Sequence, residues 1–239
     1  MDRRKRIVAF ALALLLLLGA GVGAYVGTYS HASPEAGALL GGSESVQVLP
    51  LSNGWLLDGP GARDALVFYP GGKVEATAYL PLLMTLAADG VDCFLVKMPL
   101  NLAFLNMDAA ADLQAAYRYE RWYVGGHSLG GAFAALYAAD HGAELSGLIL
   151  LAAYATRPVN EDLAVLELHG SEDRVLNRQK LAEGRTNLPA SARCEELPGG
   201  NHAQFGDYGP QRGDGVAAVS REVQTAWAAE RIEARILTP

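Results

Sequence analysis

The stretch GGHSLGG, Gly125 to Gly131, sets one hydroxyl, Ser128, among four glycines. Upstream lies the apolar run WYVGG, Trp122 to Gly126, and downstream an alanine-rich helical pattern, Leu129 to Asp140. A G-x-S-x-G match between a strand and a helix places the serine in a sharp turn that strains its backbone and exposes its oxygen. Gly126 and Gly130 then leave room for crossing main chain where a Cβ would clash, and Gly131 lets the helix lie close on the sheet. The competing reading is a structural turn serine. The rest of the chain decides between the two.

Working outward, short apolar runs alternate with helical patterns. Strand candidates are Ala65–Tyr69, Asp92–Val96, the run LSGLILL, Leu163–His169 and Ala192–Leu197. Helical patterns span about Ala76–Ala88, Asp108–Glu120 and Leu129–Asp140, and an amphipathic one spans about Val216–Ile236. VQVLPL and GWLLDG read as a hairpin at one sheet edge. Strands alternating with long helices imply crossover units and a parallel sheet. Continuous apolar strands imply that the sheet is covered on both faces. The expected fold class is α/β, with a mostly parallel central sheet between two helical layers.

The N-terminus differs in kind. MDRRKR carries four basic residues and one acid, leaving 15 basic against 25 acidic residues, or −10, for the remainder. Residues 1–6 thus form a basic flank, and 7–27 form an uncharged apolar run long enough to span a bilayer. An uncleaved transmembrane anchor and a secretory signal cut near Ala24 or Ala32 both fit this run. Either way the basic flank stays in the cytoplasm and the domain lies outside it, anchored or secreted. Residues 28–45, rich in Gly, Ser and Ala, read as a tether, and 46–239 as the domain. An acidic domain argues against a nucleic-acid partner. No zinc-type Cys/His spacing, phosphate loop or calcium loop is present, so no metal or other cofactor is expected.

With strand, GGHSLGG and helix in place, the chain resembles the α/β-hydrolase superfamily from about Val46 to the C-terminus. The PGG turn after Ala65–Tyr69 and the GGNHAQFG ending are most similar to small lid-less members of the dienelactone-hydrolase-like kind. The resemblance implies a nucleophile, then an acid after a later strand, then a histidine after the last strand. Ser128, Asp173 in LHGSEDRV and His202 in PGGNHAQFG occupy those positions. Dienelactone hydrolases proper use cysteine, so their substrate does not transfer. A serine needs a neighbouring base, here His202, and the base needs an orienting carboxylate, here Asp173. Oxyanion donors would be the Leu129 amide and the Gly72 or Lys73 amide of the turn after Tyr69.

The structural alternatives are definite. Glu172 or Asp162 competes with Asp173 for the acid role. His31 falls in the tether, His141 at a helix end, His169 at a strand end, and His127 beside the serine as a packed wall. YRYERWY reads as a helix end plus a strand start, with an aromatic ligand platform as its rival. The resemblance places the strands of Cys93 and Cys194 near opposite edges of the sheet, over about 15 Å apart, so both should be free thiols. The gap Ala153–Asp162 is too short for a lid, which implies a shallow pocket walled by PLNLAFLNM and QFGDYG. Such a site suits a small-molecule or lipid-like ester. The expected activity is a serine esterase, against acyl transfer or peptide hydrolysis on the same triad, or a non-catalytic binding module of the same fold.

Overall fold

The computed structural model describes residues 3–237. Met1 and Asp2 of the expected basic flank, and Thr238 and Pro239 at the end of the expected domain, lie outside the described residues. The first element, α1 (Arg3–Gly27), is long and apolar enough to cross a membrane, and none of that length is buried against the rest of the chain.

Residues 28–45 hold structure of their own. Ser30 bridges to Val74, and Ser33 caps the short helix α2 (Pro34–Ala38) by accepting the Ala36 amide. The Ser33 hydroxyl donates to Asp207 at 2.6 Å, which draws the expected tether onto the domain.

Two strands, β1 (Gln47–Leu51) and β2 (Gly54–Asp58), form the expected edge hairpin, with Leu51 opposite Gly54. Next come β3 (Asp64–Tyr69), α3 (Leu80–Ala88), β4 (Val91–Val96), α4 (Ala109–Ala116) and β5 (Arg121–His127). The chain continues as α5 (Leu129–His141), β6 (Gly147–Leu151), β7 (Ala164–Gly170), α6 (Arg178–Gly184), β8 (Arg193–Leu197) and α7 (Arg221–Ile236). The sheet order is β1-β2-β4-β3-β5-β6-β7-β8, with β1, β2 and β4 antiparallel in turn and the other pairs parallel.

The pleat explains the two layers. Along β3, Leu66 and Phe68 enter one apolar cluster with α3 and α7, through Leu83, Leu86, Ala228 and Ile232. Ala65, Val67 and Tyr69 enter the other cluster with α4 and α5, through Leu113, Ala134 and Ala138. Successive side chains point to opposite faces, so a strand feeding both cores must be apolar throughout. From β3 the chain moves one way to β4 and then crosses to β5 on the other side. That reversal opens a crevice at the carboxyl ends of β3 and β5, where ligands of open α/β sheets bind.

Two helices are shorter than their patterns. The C-terminal one begins at Arg221, because Ser220 caps it and Gly199 O takes the Ala218 and Val219 amides. The helix expected to reach Glu120 ends at Ala116, where Tyr117 turns extended. Tyr117, Tyr119 and Trp122 pack on Phe94, and the Tyr119 hydroxyl bonds Asp92 at 2.7 Å. The aromatic rings of YRYERWY thus pack against the core, while Arg118 and Glu120 are exposed.

The thiols are both free, Cys93 buried and Cys194 exposed. Cys93 lies on β4 and Cys194 on β8, five strand spacings apart in the sheet order. At about 4.8 Å per spacing this exceeds any disulfide reach.

Candidate active site

Ser128 joins β5 to α5 with φ 52° and ψ −120°, the left-handed side of backbone space that side chains avoid. Its amide donates to Leu151 O at 2.9 Å and its carbonyl accepts the Ala132 amide at 3.0 Å, so the strained turn is held on both sides. The flanking glycines are obligatory. A Cβ on Gly131 would lie 2.5 Å from the Ala153 Cβ, and one on Gly126 would lie 2.7 Å from the Gly130 carbonyl carbon.

His202 and Asp173 meet as a hydrogen-bonded couple. His202 Nδ1 lies 2.8 Å from Asp173 Oδ2, and both side chains are buried. Asp173 Oδ1 accepts the Val175 and Leu176 amides at 2.9 and 2.8 Å. Burial alone would raise the Asp173 pKa. The His202 hydrogen bond and charge, with the two amides, more than offset this and hold the carboxyl below its ordinary value. Glu172 instead receives a bond from Ser171, and Asp162 is exposed beside Asn160, so neither rival acid is bonded to the imidazole.

His202 Nε2 is buried without a hydrogen-bond partner among the described residues. His202 and Ser128 line one pocket of about 240 Å³, whose walls include Leu129, Ala153, Tyr154 and Val175. The loops expected to wall it lie elsewhere. Gln204–Gly209 borders a separate cavity of about 440 Å³, and Leu100–Asn101 a cleft beside the end of α1. The walls come instead from the turns after β6 and β7, because the chain between β6 and β7 carries no helix among the described residues.

Of the expected oxyanion donors, the Lys73 amide is occupied: it donates to Asn101 O at 2.8 Å. Gly72 packs directly on Leu129, since a Cβ there would lie 2.7 Å from Leu129 Cδ2. The turn after β3 thus packs Gly72 on the Leu129 side chain at the start of α5.

His127 does more than fill a wall. Its Nε2 lies 3.1 Å from His202 O, and a carbonyl only accepts, so Nε2 carries the proton. Its Nδ1 then accepts from the Tyr79 hydroxyl at 2.7 Å, and that oxygen accepts the Gly71 amide at 3.0 Å. Burial first, then the neighbouring His202, pushes the His127 pKa well below the ordinary imidazole value, so the ring stays neutral. One buried chain of hydrogen bonds therefore ties the β3 turn to the main chain of His202. Two further residues fix that main chain: Gln224 bonds both Asn201 N and Asn201 O, and Asp214 accepts the Ala203 and Arg174 amides. Neither of these two was legible beforehand; a glutamine in an amphipathic helix and an aspartate in a glycine-rich loop give no local signal.

The other histidines lie away from the site. His31 faces Glu75 at 3.3 Å, His141 stacks on Tyr137, and His169 Nε2 sits 3.2 Å from Glu196.

A doubly wound sheet, with a strained serine in the turn after β5, defines an α/β protein. The profile of the Alpha/beta hydrolase family matches residues 65–226, and the chain belongs to that family. It is an α/β-hydrolase. Comparison with curated protein sequences gives no match. Solved structures similar in fold include a predicted CIB-like hydrolase from Thermoplasma acidophilum, 12% identical, TM-score 0.58, covering 78% of this chain and 96% of that one. Est1E from Butyrivibrio proteoclasticus is 15% identical with TM-score 0.53 over 80% of this chain and 99% of its own. A candidate dienelactone hydrolase from Klebsiella pneumoniae is 17% identical with TM-score 0.56 over 81% and 98%. At these identities the likeness speaks to fold alone.

Proposed function

We propose that this hydrolase is a serine carboxylesterase, anchored by α1 with its catalytic domain outside the cytoplasm. Ser128 attacks the ester carbonyl carbon, and its proton passes to His202 Nε2. The carbonyl electrons move onto oxygen, where the Leu129 and Gly72 amides donate to the resulting oxyanion. As the tetrahedral intermediate collapses, the alcohol leaves with the proton from His202. Water then attacks the acyl-enzyme by the same steps in reverse roles and releases the acid. Asp173 fixes the imidazole tautomer and stabilises its cation.

The observation that carries this reading is the state of the His202 ring. One nitrogen is held by a buried carboxylate, and the other is buried, without a partner among the described residues, and beside the pocket that Ser128 lines. A base whose reacting nitrogen lacks an internal partner is available to a serine proton. The basic Arg3–Arg6 segment ahead of the apolar stretch supports the orientation of the anchor. The small pocket favours a short reacting segment of substrate over a deeply buried long chain.

A fluorophosphonate probe tests the assignment. Wild-type protein is expected to be labelled and Ser128→Ala not. Folded wild-type protein that takes no label would overturn catalysis in favour of a binding module. Labelling without hydrolysis of any p-nitrophenyl ester would move the reading to acyl transfer or peptide chemistry.

A further inference from the structure

Outside α1, nine large apolar side chains among the described residues are exposed, and three of them, Leu100, Phe104 and Leu105, fall within six consecutive positions. Leu100 is 55% exposed and sits at φ 54°, followed by Asn101 at φ 56°. An exposed leucine held in that conformation is uncommon, since the left-handed region strains a bulky side chain.

The loop is bound to both the anchor and the site. Asn101 O accepts the Lys73 amide, while Lys73 O accepts the Ser30 amide, just past the end of α1. Lys73 Nζ reaches Thr28 Oγ1 at 3.1 Å and lies 4.0 Å from the centre of the Tyr25 ring. On the other side, Phe104 contacts Phe133 of α5, ring centres 6.2 Å apart, one residue beyond the pocket-lining Ala132. Leu100 shares a cleft of about 460 Å³ with Gly27, Tyr29, Trp55 and Lys97. Tyrosine, tryptophan and lysine around the outer end of an apolar helix are the side chains of the headgroup level of a bilayer.

We propose that the loop Pro99–Leu105 is a second membrane contact, which seats beside α1 in the same leaflet and sets the mouth of the site at the lipid surface. The substrate class follows: an ester whose acyl chain stays in the bilayer while its carbonyl enters the small pocket. The proposal rests on the anchored-esterase reading. Its own content is the contact made by the loop.

The test uses the full chain in phosphatidylcholine vesicles. Phe104→Cys in a Cys194→Ser background, labelled with an environment-sensitive fluorophore, should shift to the blue and be quenched by doxyl-labelled lipid. Quenching by aqueous iodide, and not by the lipid nitroxide, overturns the proposal. The pair Leu100→Asp with Phe104→Asp should lower hydrolysis of a vesicle-borne long-acyl ester by about tenfold or more. Hydrolysis of a soluble short-chain ester should hold within about twofold, since neither side chain lines the pocket, and its loss in step would overturn the interfacial role. Aspartate suits the left-handed position better than leucine, so Leu100→Asp alone, which should keep its thermal stability, separates misfolding from lost contact. Release of the wild type by an alkaline carbonate wash overturns the anchor and the proposal together. Absence of all ester hydrolysis by wild type overturns the substrate half, while the fluorophore still reads the contact.

Discussion

Replacing Asp173 by asparagine has an outcome that the geometry fixes in direction. Oδ1 of Asp173 accepts two amides, Val175 N and Leu176 N, so the carbonyl oxygen of an asparagine must stay there. Its NH2 group then takes the place of Oδ2, 2.8 Å from His202 Nδ1. A donor facing Nδ1 selects the tautomer with hydrogen on Nε2, which offers no lone pair to Ser128. The base is not removed; it is turned off. Where a triad acid is exchanged this way the loss in kcat is on the order of 10³ to 10⁴, whereas the stability loss should be only about 1 to 3 kcal/mol, one charge-assisted hydrogen bond. Hydrolysis of a soluble short-chain ester and thermal unfolding, measured on the same preparation, separate the two effects. A Ser128→Ala, Asp173→Asn double variant should be scarcely worse than Ser128→Ala. The pH dependence has a definite sign. The folded pKa of Asp173 is depressed, so its contribution is present above the ordinary carboxylate value and is lost as pH falls through the folded value. The stability gap between wild type and variant should therefore close in acid below about pH 4. A variant that keeps more than a tenth of wild-type kcat at neutral pH would refute the reasoning and return the acid role to Glu172 or Asp162.

Two further outcomes follow from single contacts. Tyr79→Phe removes the hydroxyl between the Gly71 amide and His127 Nδ1 and leaves both buried groups unpaired. Unfolding free energy should fall by roughly 2 to 4 kcal/mol, with a lower kcat as the Gly71–Gly72 turn loosens; a change below about 0.5 kcal/mol would dismiss the hydrogen-bond chain. A thiol reagent should modify Cys194 in the native protein and Cys93 only after unfolding, with no disulfide on a non-reducing gel. Because burial first of all raises both thiol pKa values, labelling of Cys194 should speed up as pH rises; a Cys93–Cys194 bond would sink the strand order.

Local chemistry carries what could be read in advance. β3 through β6 are buried on both faces, so their apolar runs announce strands, and the alternation with helices announces crossovers. GGHSLGG marks its own turn, because only glycine fits where the Tyr69 and Pro70 main chain crosses it. The resemblance to the α/β-hydrolase family, with its order of nucleophile, acid and histidine, then brought Ser128, Asp173 and His202 forward as candidates.

Tertiary structure alone decided which amides are free and what lines the pocket. Lys73 and Gly72 are neighbours in sequence, yet Asn101, from a loop that follows a different strand, takes one amide and not the other. The pocket walls likewise come from turns after β6 and β7, which meet only once the sheet has formed. Tyr79, His127, Asp214 and Gln224 hold the site through bonds between segments far apart in sequence. A hydrogen bond between distant segments leaves no trace in the residues on either side of it, whereas a turn or a buried strand must be written into its own few residues.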